Sequence, residues 1–383
     1  MEPLVRVWNP RCPGLVLIII LAVFTSPCAG SGFAAETIQG EVLGANAPIA
    51  KSTVTLWSAS ADAPKQLAQA QTNDDGRFSL SFEGPSNGPR VLYVIAKGGE
   101  PNAHKGGGDN RYIAMLSVIG PTPPAHVTIN EFTTVASVWT NAQFLDGGAL
   151  RGAPLGLKIA AGNVPSLVDL QTGGWGTTIQ DSLNSSQTPT MANFATLADL
   201  LCGCVTLVTA DACGKLFAAA TPPKGATPTD TLTAAESIAR YPWYQPKKLF
   251  VLLGELYPVP AGKTMRAVPY MPYLNFSPSA WVLPLEFDGG GYRAGGKAMF
   301  DSGGNLWVGD NFTIGWQAQD ALWQGNATKF NPNGKPLSPI TTGFAGAACR
   351  AARSARRSTR RTTLGFLPMG ASRLRYSTRT VSR

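Results

Sequence analysis

Residues 298–308 read AMFDSGGNLWV. A short strand runs into a turn led by Asp301, a corner at Gly304 and Asn305 reverses the chain, and Leu306-Trp307-Val308 opens the return strand. Residues 328–337, TKFNPNGKPL, supply a later hairpin of the same unit, with Asn333 and Gly334 at its corner. From about Phe250 onward the chain is rich in Gly, Pro and aromatics and reads as strand-like. A single β-unit of this kind leaves two edges and its apolar faces uncovered, and such units gain stability by stacking on further copies.

The pattern resembles one repeat of an NHL-type or streptogramin-lyase-like β-propeller. The resemblance implies a blade whose motif residues here are Asp301, Gly304, Asn305, Trp307, Asn333 and Gly334. Propellers close with about 4–8 blades, whereas residues 250–348 hold one, and the residues beyond at most part of another. The region is therefore expected to be an incomplete propeller of one to two blades. It should be poorly ordered, prone to aggregate, or packed on the segment before it.

The tail, 349–383, holds ten arginines, no lysine and no acid. Tails that bind nucleic acid usually mix lysine with arginine. Reading each codon's third base with the next two bases allows VGTAVDAADNAWF from Arg353 and VFDANGKP from Arg375. Both strings echo KAMFDSGGNLWV (297–308) and KFNPNGKP (329–336) upstream. Residues 349–383 thus read as an out-of-frame, disordered basic tail. The formal charge of +9 comes from 32 basic and 23 acidic residues; removing the ten tail arginines leaves 22 − 23 = −1. The polyanion-binding reading suggested by a basic chain rests on this tail alone.

Upstream, residues 130–249 form a helical segment. Asn130 stands at an N-cap position before Phe132, Val135 and Val138-Trp139, which are apolar at helical spacing. Further helical patterns cover 155–170, 189–205, 211–220 and 230–240, with Pro222-Pro223 and Pro228 separating the last two. Cys204 and Cys213 are spaced for a short loop-closing disulfide, leaving Cys202 over. No histidine follows His126, which argues against a metal at these cysteines. The words NEFTTVASVW (130–139), LADLL (197–201) and PTDTL (228–232) resemble a family of exported bacterial proteins in which such a segment precedes an NHL-type propeller. In that family two cysteines recur at this spacing, which implies the Cys204–Cys213 pairing.

Residues 36–129 alternate at strand spacing: TIQGEV (37–42), STVTLWS (52–58), QLAQAQT (66–72), RFSLSF (77–82), VLYVIAK (91–97), YIAMLSV (112–118) and 126–129. About seven short strands divided by turn signals argue for a β-sandwich. The G-x-V opening, the TVTL strand and the DDGRFSL return resemble the carboxypeptidase-regulatory-like, prealbumin-type module. Asp74 and Asp75 read as a tight hairpin turn rather than as calcium ligands. Residues 1–35 read as a signal peptide: Arg6 and Arg11, then the apolar run LVLIIILAVF (15–24), then small residues. That run is too short to span a bilayer, so the expected location is secreted or periplasmic, with no transmembrane helix in the mature chain.

Catalytic chemistry finds little purchase. The streptogramin-lyase resemblance would imply a propeller histidine as general base and a magnesium ion, but only His104 and His126 exist, both outside that region. No G-x-S-x-G, H-E-x-x-H or Walker-type loop occurs. The triple glycine 289–291 reads as a turn. Asp288, Asp301, Asp310 and Asp320 invite a calcium reading that turn chemistry explains better. Trp281, Trp307, Trp316 and Trp323 suit a carbohydrate surface or, more simply, a blade core. The expectation is a multidomain α+β protein: N-terminal β-sandwich, central all-α segment, C-terminal incomplete propeller. Its function is non-catalytic binding of an extracellular or envelope ligand, carbohydrate or protein, or a structural role, with no catalytic residue, cofactor or metal assigned. The alternatives are a fragment of a metal-assisted lyase and, if the basic tail is genuine, a polyanion binder.

Overall fold

The computed structural model describes residues 36–83, 90–102, 108–292, 295–310 and 326–345. The proposed signal peptide, His104, the side chain of Asp310, Trp316, Asp320, Trp323 and the basic tail after residue 345 lie outside the described residues. The chain is mixed α+β, its sheets antiparallel except where the ninth strand joins the first.

Nine strands come first: β1 Glu36–Gly44, β2 Ala47–Ala50, β3 Thr53–Ser58, β4 Lys65–Gln71, β5 Arg77–Phe82, β6 Leu92–Lys97, β7 Glu100–Pro101, β8 Ala114–Gly120 and β9 His126–Ile129. They form two sheets. One runs β5-β1-β2-β7, with β9 joining β1 in parallel; the other runs β4-β3-β6-β8. Period-two alternation puts Ile38 and Val42 of β1, Leu80 of β5, and Val54 and Leu56 of β3 into one shared buried cluster. β6 is buried along Leu92–Ala96 without alternation, because its second face is also covered. Tyr93 and Ile95 point into a different cluster, made with the helices.

The covering unit follows: α1 Glu131–Asn141, a small hairpin of β10 Leu145–Asp146 and β11 Ala149–Leu150, then α2 Pro154–Leu167, α3 Thr177–Gln180, α4 Ser182–Gln187, α5 Thr190–Val205, α6 Ala212–Ala220, α7 Thr231–Arg240 and α8 Pro246–Leu256. Asn130 caps α1 reciprocally with Thr133: Thr133 N–H donates to Asn130 Oδ1 at 2.9 Å, and Asn130 N–H to Thr133 Oγ1 at 2.9 Å. Hydroxyls on the buried face of this unit finish the edge strand β8. Leu116 N–H donates to Thr134 Oγ1 at 3.1 Å, Val118 N–H to Ser137 Oγ at 2.8 Å, and Ala114 N–H to Thr231 Oγ1 at 2.9 Å. An edge that would otherwise invite another strand is closed by side chains.

Strand character does not begin at Phe250. Leu249, Leu252, Leu253 and Leu256 form the buried face of α8. Residues 257–292 then run without a regular strand, as a strap across α5. The last sheet, β12 Gly295–Phe300, β13 Leu306–Asp310, β14 Asn326–Phe330 and β15 Phe344–Ala345, is antiparallel in chain order. It rests on α2: a Cβ on Gly162 would come within 2.6 Å of Pro332 Cβ, and Ser166 Oγ donates to the Asn333 carbonyl at 3.3 Å. Of the expected fates for this region, packing on the helical segment is the one seen for its described part.

Candidate functional site

The turn residues of the last sheet are spent on the turn itself. Asp301 Oδ1 accepts from Gly303 N–H (2.8 Å), Asn305 N–H (3.0 Å) and Asn305 Nδ2 (3.0 Å). Its Oδ2 accepts from Asn305 Nδ2 at 2.9 Å and Trp307 Nε1 at 3.0 Å, and Lys329 Nζ lies 3.3 Å away. Burial alone would raise this carboxyl, but the bonds from Asn305, Trp307 and Gly303 outweigh it and hold Asp301 well below the ordinary aspartate range. Gly304 N–H returns to the Asp301 carbonyl at 3.0 Å. The second corner copies the plan: Asn331 Oδ1 accepts from Asn333 N–H (3.0 Å) and Lys335 N–H (2.8 Å). Gly334 there has φ +78°, and any Cβ would overlap the Phe287 ring. Asp74 and Asp75 also sit in a turn, where Asn73 Oδ1 accepts from Asp75 and Arg77 N–H. Cys204 and Cys213 are disulfide-bonded, and Cys202 is free and buried.

A second constellation was not legible beforehand. Glu131 at the start of α1, Asp199 and Cys202 on α5, and Tyr257 and Tyr270 on the strap converge in the interior, all buried. Tyr270 Oη donates to Glu131 Oε2 at 2.6 Å, and Ala45 N–H donates to Oε1 at 3.2 Å. Tyr270 N–H donates to Asp199 Oδ1 at 3.0 Å, and Tyr257 Oη to the Asp199 carbonyl at 3.2 Å. Asp199 Oδ2 is buried without a partner. Burial pushes Glu131 up, pushes Asp199 up to about 8, and pushes the Cys202 thiol well up. The cluster is a buried fastening between strap and helices, bonded from Tyr270 to Glu131 on α1 and to Asp199 on α5. Among the described residues no group of three or more His, Cys, Asp or Glu side chains could hold a metal ion.

An open concavity lies elsewhere, on the outer face of β4-β3-β6. A groove of about 460 Å³ is lined by Thr53, Thr55, Trp57, Gln66, Gln69 and Lys97, with Tyr93 and Ile95 in its floor and the β10–β11 turn as one wall. Cross-strand register sets its rungs: Gln66–Trp57–Tyr93, Gln69–Thr55–Ile95, and Thr53 beside Lys97. A bulge opposite Leu56/Trp57 makes the first rung. It keeps Leu67 against the inter-sheet core and turns Gln66 to the groove face. Trp57 stacks against Tyr93, with ring centroids 6.4 Å apart and planes at 16°.

The wall is held from behind. Glu236 on α7 accepts Gly147 N–H and Gly148 N–H, each at 2.8 Å, and Arg240 donates to the Leu145 carbonyl. Gly148, at φ +81°, brings the turn so close to the sheet that a Cβ would stand 3.1 Å from Ile95 Cδ1. The sequence signal for this groove is the outward register of TVTLW, which exposes Thr, Thr and Trp while burying Val54 and Leu56.

The tryptophans considered for a carbohydrate surface are used otherwise where described. Trp281 is fully buried and its carbonyl accepts from Trp139 Nε1 at 2.8 Å, while Trp307 serves the Asp301 turn. No family model matches the chain, and no curated protein matches it. Among solved structures, a 9R-lipoxygenase from Cyanothece is similar at 17% identity over 24% of this chain and 16% of that one, with a TM-score of 0.17. A likeness of that size carries no argument about fold or function, and the chain spans well under two thirds of that protein.

Proposed function

We propose that this chain is an exported, non-catalytic binding protein. Its N-terminal sheets form a carboxypeptidase-regulatory-like sandwich, and its last sheet is a single NHL-type blade of an incomplete propeller. The observation that carries the reading is a division of labour among the polar side chains. The acids with chemical potential are consumed in a turn (Asp301) or sealed inside (Glu131, Asp199), while the open groove presents Trp57, hydroxyls, amides and Lys97. Ligand pockets have this make-up: an apolar and aromatic surface with a few placed polar groups. The Cys204–Cys213 disulfide supports export, because such bonds persist in oxidising compartments. The lyase reading lacks its base, since His126, the described histidine, sits on β9 beside Glu41 at 3.7 Å and not in the last sheet.

The test is a thermal-shift panel of soluble glycans and cell-envelope fragments on the purified full chain, each mixture then resolved by chromatography. A ligand that raises Tm and is recovered unaltered supports the proposal. A ligand converted to product, or no shift from any probe at millimolar concentration, overturns it. Export has its own test: periplasmic fractionation with mass mapping of an oxidised Cys204–Cys213 peptide.

A further inference from the structure

Resting on the binding reading above, we infer that the groove on β4-β3-β6 is a glycan site, with Trp57 as the stacking platform and Thr53, Thr55, Gln66, Gln69 and Lys97 as hydroxyl partners. Three observations select this ligand class. First, β3 lies between β4 and β6 and pairs with both along its length. A ligand laid over the middle of the groove meets no free main chain on β3 or β6, the outer edge of β4 being the open one, so recognition there falls to side chains. Second, those side chains are both donors and acceptors. Among the described residues the Thr53 and Thr55 hydroxyls, the Trp57 indole N–H and the Lys97 ammonium have no hydrogen-bond partner, while Gln66 Nε2 and Gln69 Oε1 bond one another at 3.3 Å. A row of sugar hydroxyls donates and accepts in turn and suits such a set. Third, no carboxylate lines the groove. A cationic ligand has no counter-charge there, whereas Lys97 accepts neutral or acidic sugars.

The geometry of the platform completes the case. Tyr93 supports the Trp57 ring from the neighbouring strand, and Tyr93 itself is buried, its Oη accepting Leu150 N–H at 3.3 Å. The indole is thus held in place while still partly exposed. A sugar's C–H face has a positive edge that meets the negative face of an indole. The Glu236-held β10–β11 turn fixes the opposite wall, so the site is formed before any ligand arrives.

The experiment is affinity electrophoresis of the full chain in native gels containing hydroxyethylcellulose, arabinoxylan, laminarin or glycol chitin, with a parallel gel containing denatured casein. At least one glycan is expected to retard the wild type. Trp57→Ala should weaken that association by about tenfold or more, and Trp57→Phe should restore most of it. Gln69→Ala and Lys97→Met, on exposed side chains, test the same site without touching the core, and each should weaken binding by about threefold. Wild-type retardation left unmoved by all four variants overturns the glycan groove while the binding reading stands. Retardation by casein alone makes the groove a peptide site and overturns the inference. No retardation in any glycan gel also overturns it, and the fate of the binding reading is then set by its own panel of envelope fragments.

Discussion

Asp199 receives Tyr270 N–H through one oxygen and buries the other unpaired. A proton relieves that oxygen of charge, so the folded state holds it up to about pH 8, against 3.8 for the ordinary group. Between those values the native protein binds more protons than the unfolded chain. Stability is therefore greatest below about pH 4 and falls as pH rises towards 8, by at most about 1.4 kcal/mol per pH unit from this group. Glu131, also raised by burial, adds a slope of the same sign. Asp199→Asn should lie above wild type in urea midpoint at alkaline pH and close to it near pH 4.5; parallel profiles would contradict the assignment. Asp301 is the opposite case, an ionised carboxylate bonded through both oxygens. Asp301→Ala strands Trp307 Nε1 and Asn305 and should cost the last sheet about 2–3 kcal/mol, read as faster amide exchange in 295–310. Its turn role was legible from D-x-x-G-N alone, since an Asx turn is local. The Asp199 site was not legible, because its partner is 71 residues away and leaves no local pattern.

Helix α5 carries a polar stripe at three-residue spacing whose members each take a main-chain group of the strap. Thr190 Oγ1 donates to the Pro284 carbonyl, Asn193 Nδ2 to that of Val282 at 3.0 Å, and Thr196 Oγ1 accepts Leu274 N–H at 2.9 Å. Asp199 is the fourth rung. Side chains stand in for the neighbouring strand that the strap lacks. Thr196→Val keeps the shape and removes the acceptor, so Leu274 N–H is buried unpaired at a cost of about 1–3 kcal/mol, measurable as a lower denaturant midpoint. On α2, Gly162→Leu drives a side chain into Pro332. It should release the last sheet to limited proteolysis while leaving the body's Tm nearly unchanged, and equal protection in both proteins would count against the contact. Strands β1, β3, β4, β5, β6, β8 and β9 and helices α1, α2, α5, α6 and α7 were readable from period and capping, whereas β2 and β7, of four and two residues, are too short to show a period. Helix α8 was readable too, in Leu249, Leu252, Leu253 and Leu256, but the Gly, Pro and aromatic content beyond it masked the spacing. The strap has no period to read, because its bonding is dictated by another element.

At the scale of the molecule, the disulfide ties the end of α5 to α6 across a sequence separation of 9. Replacing both Cys204 and Cys213 with Ala should cost about 2–3 kcal/mol by the chain-entropy relation for a loop this short. Denaturant midpoints that reductant lowers in the wild type and not in the double variant would establish it. The net charge splits in the same regional way, near neutral without the tail arginines and +9 with them.

The strap also dictates an order of events. Glu131 waits for Tyr270, Trp139 for Trp281 and Asn184 for Glu286, pairs separated by 139, 142 and 102 residues. A chain made from its N-terminus completes the two sheets early, since their pairings all lie before residue 130. The helices then remain an open shell, with hydrated acids and an uncovered α5, until Trp281 has been synthesised. Loops of that length close slowly, so the middle of the molecule stays pliable until Tyr270, Trp281 and Glu286 have all been added. A nascent chain stalled before residue 270 should be cut by protease in α5 and spared in β1, and one stalled well after residue 290 should be spared in both.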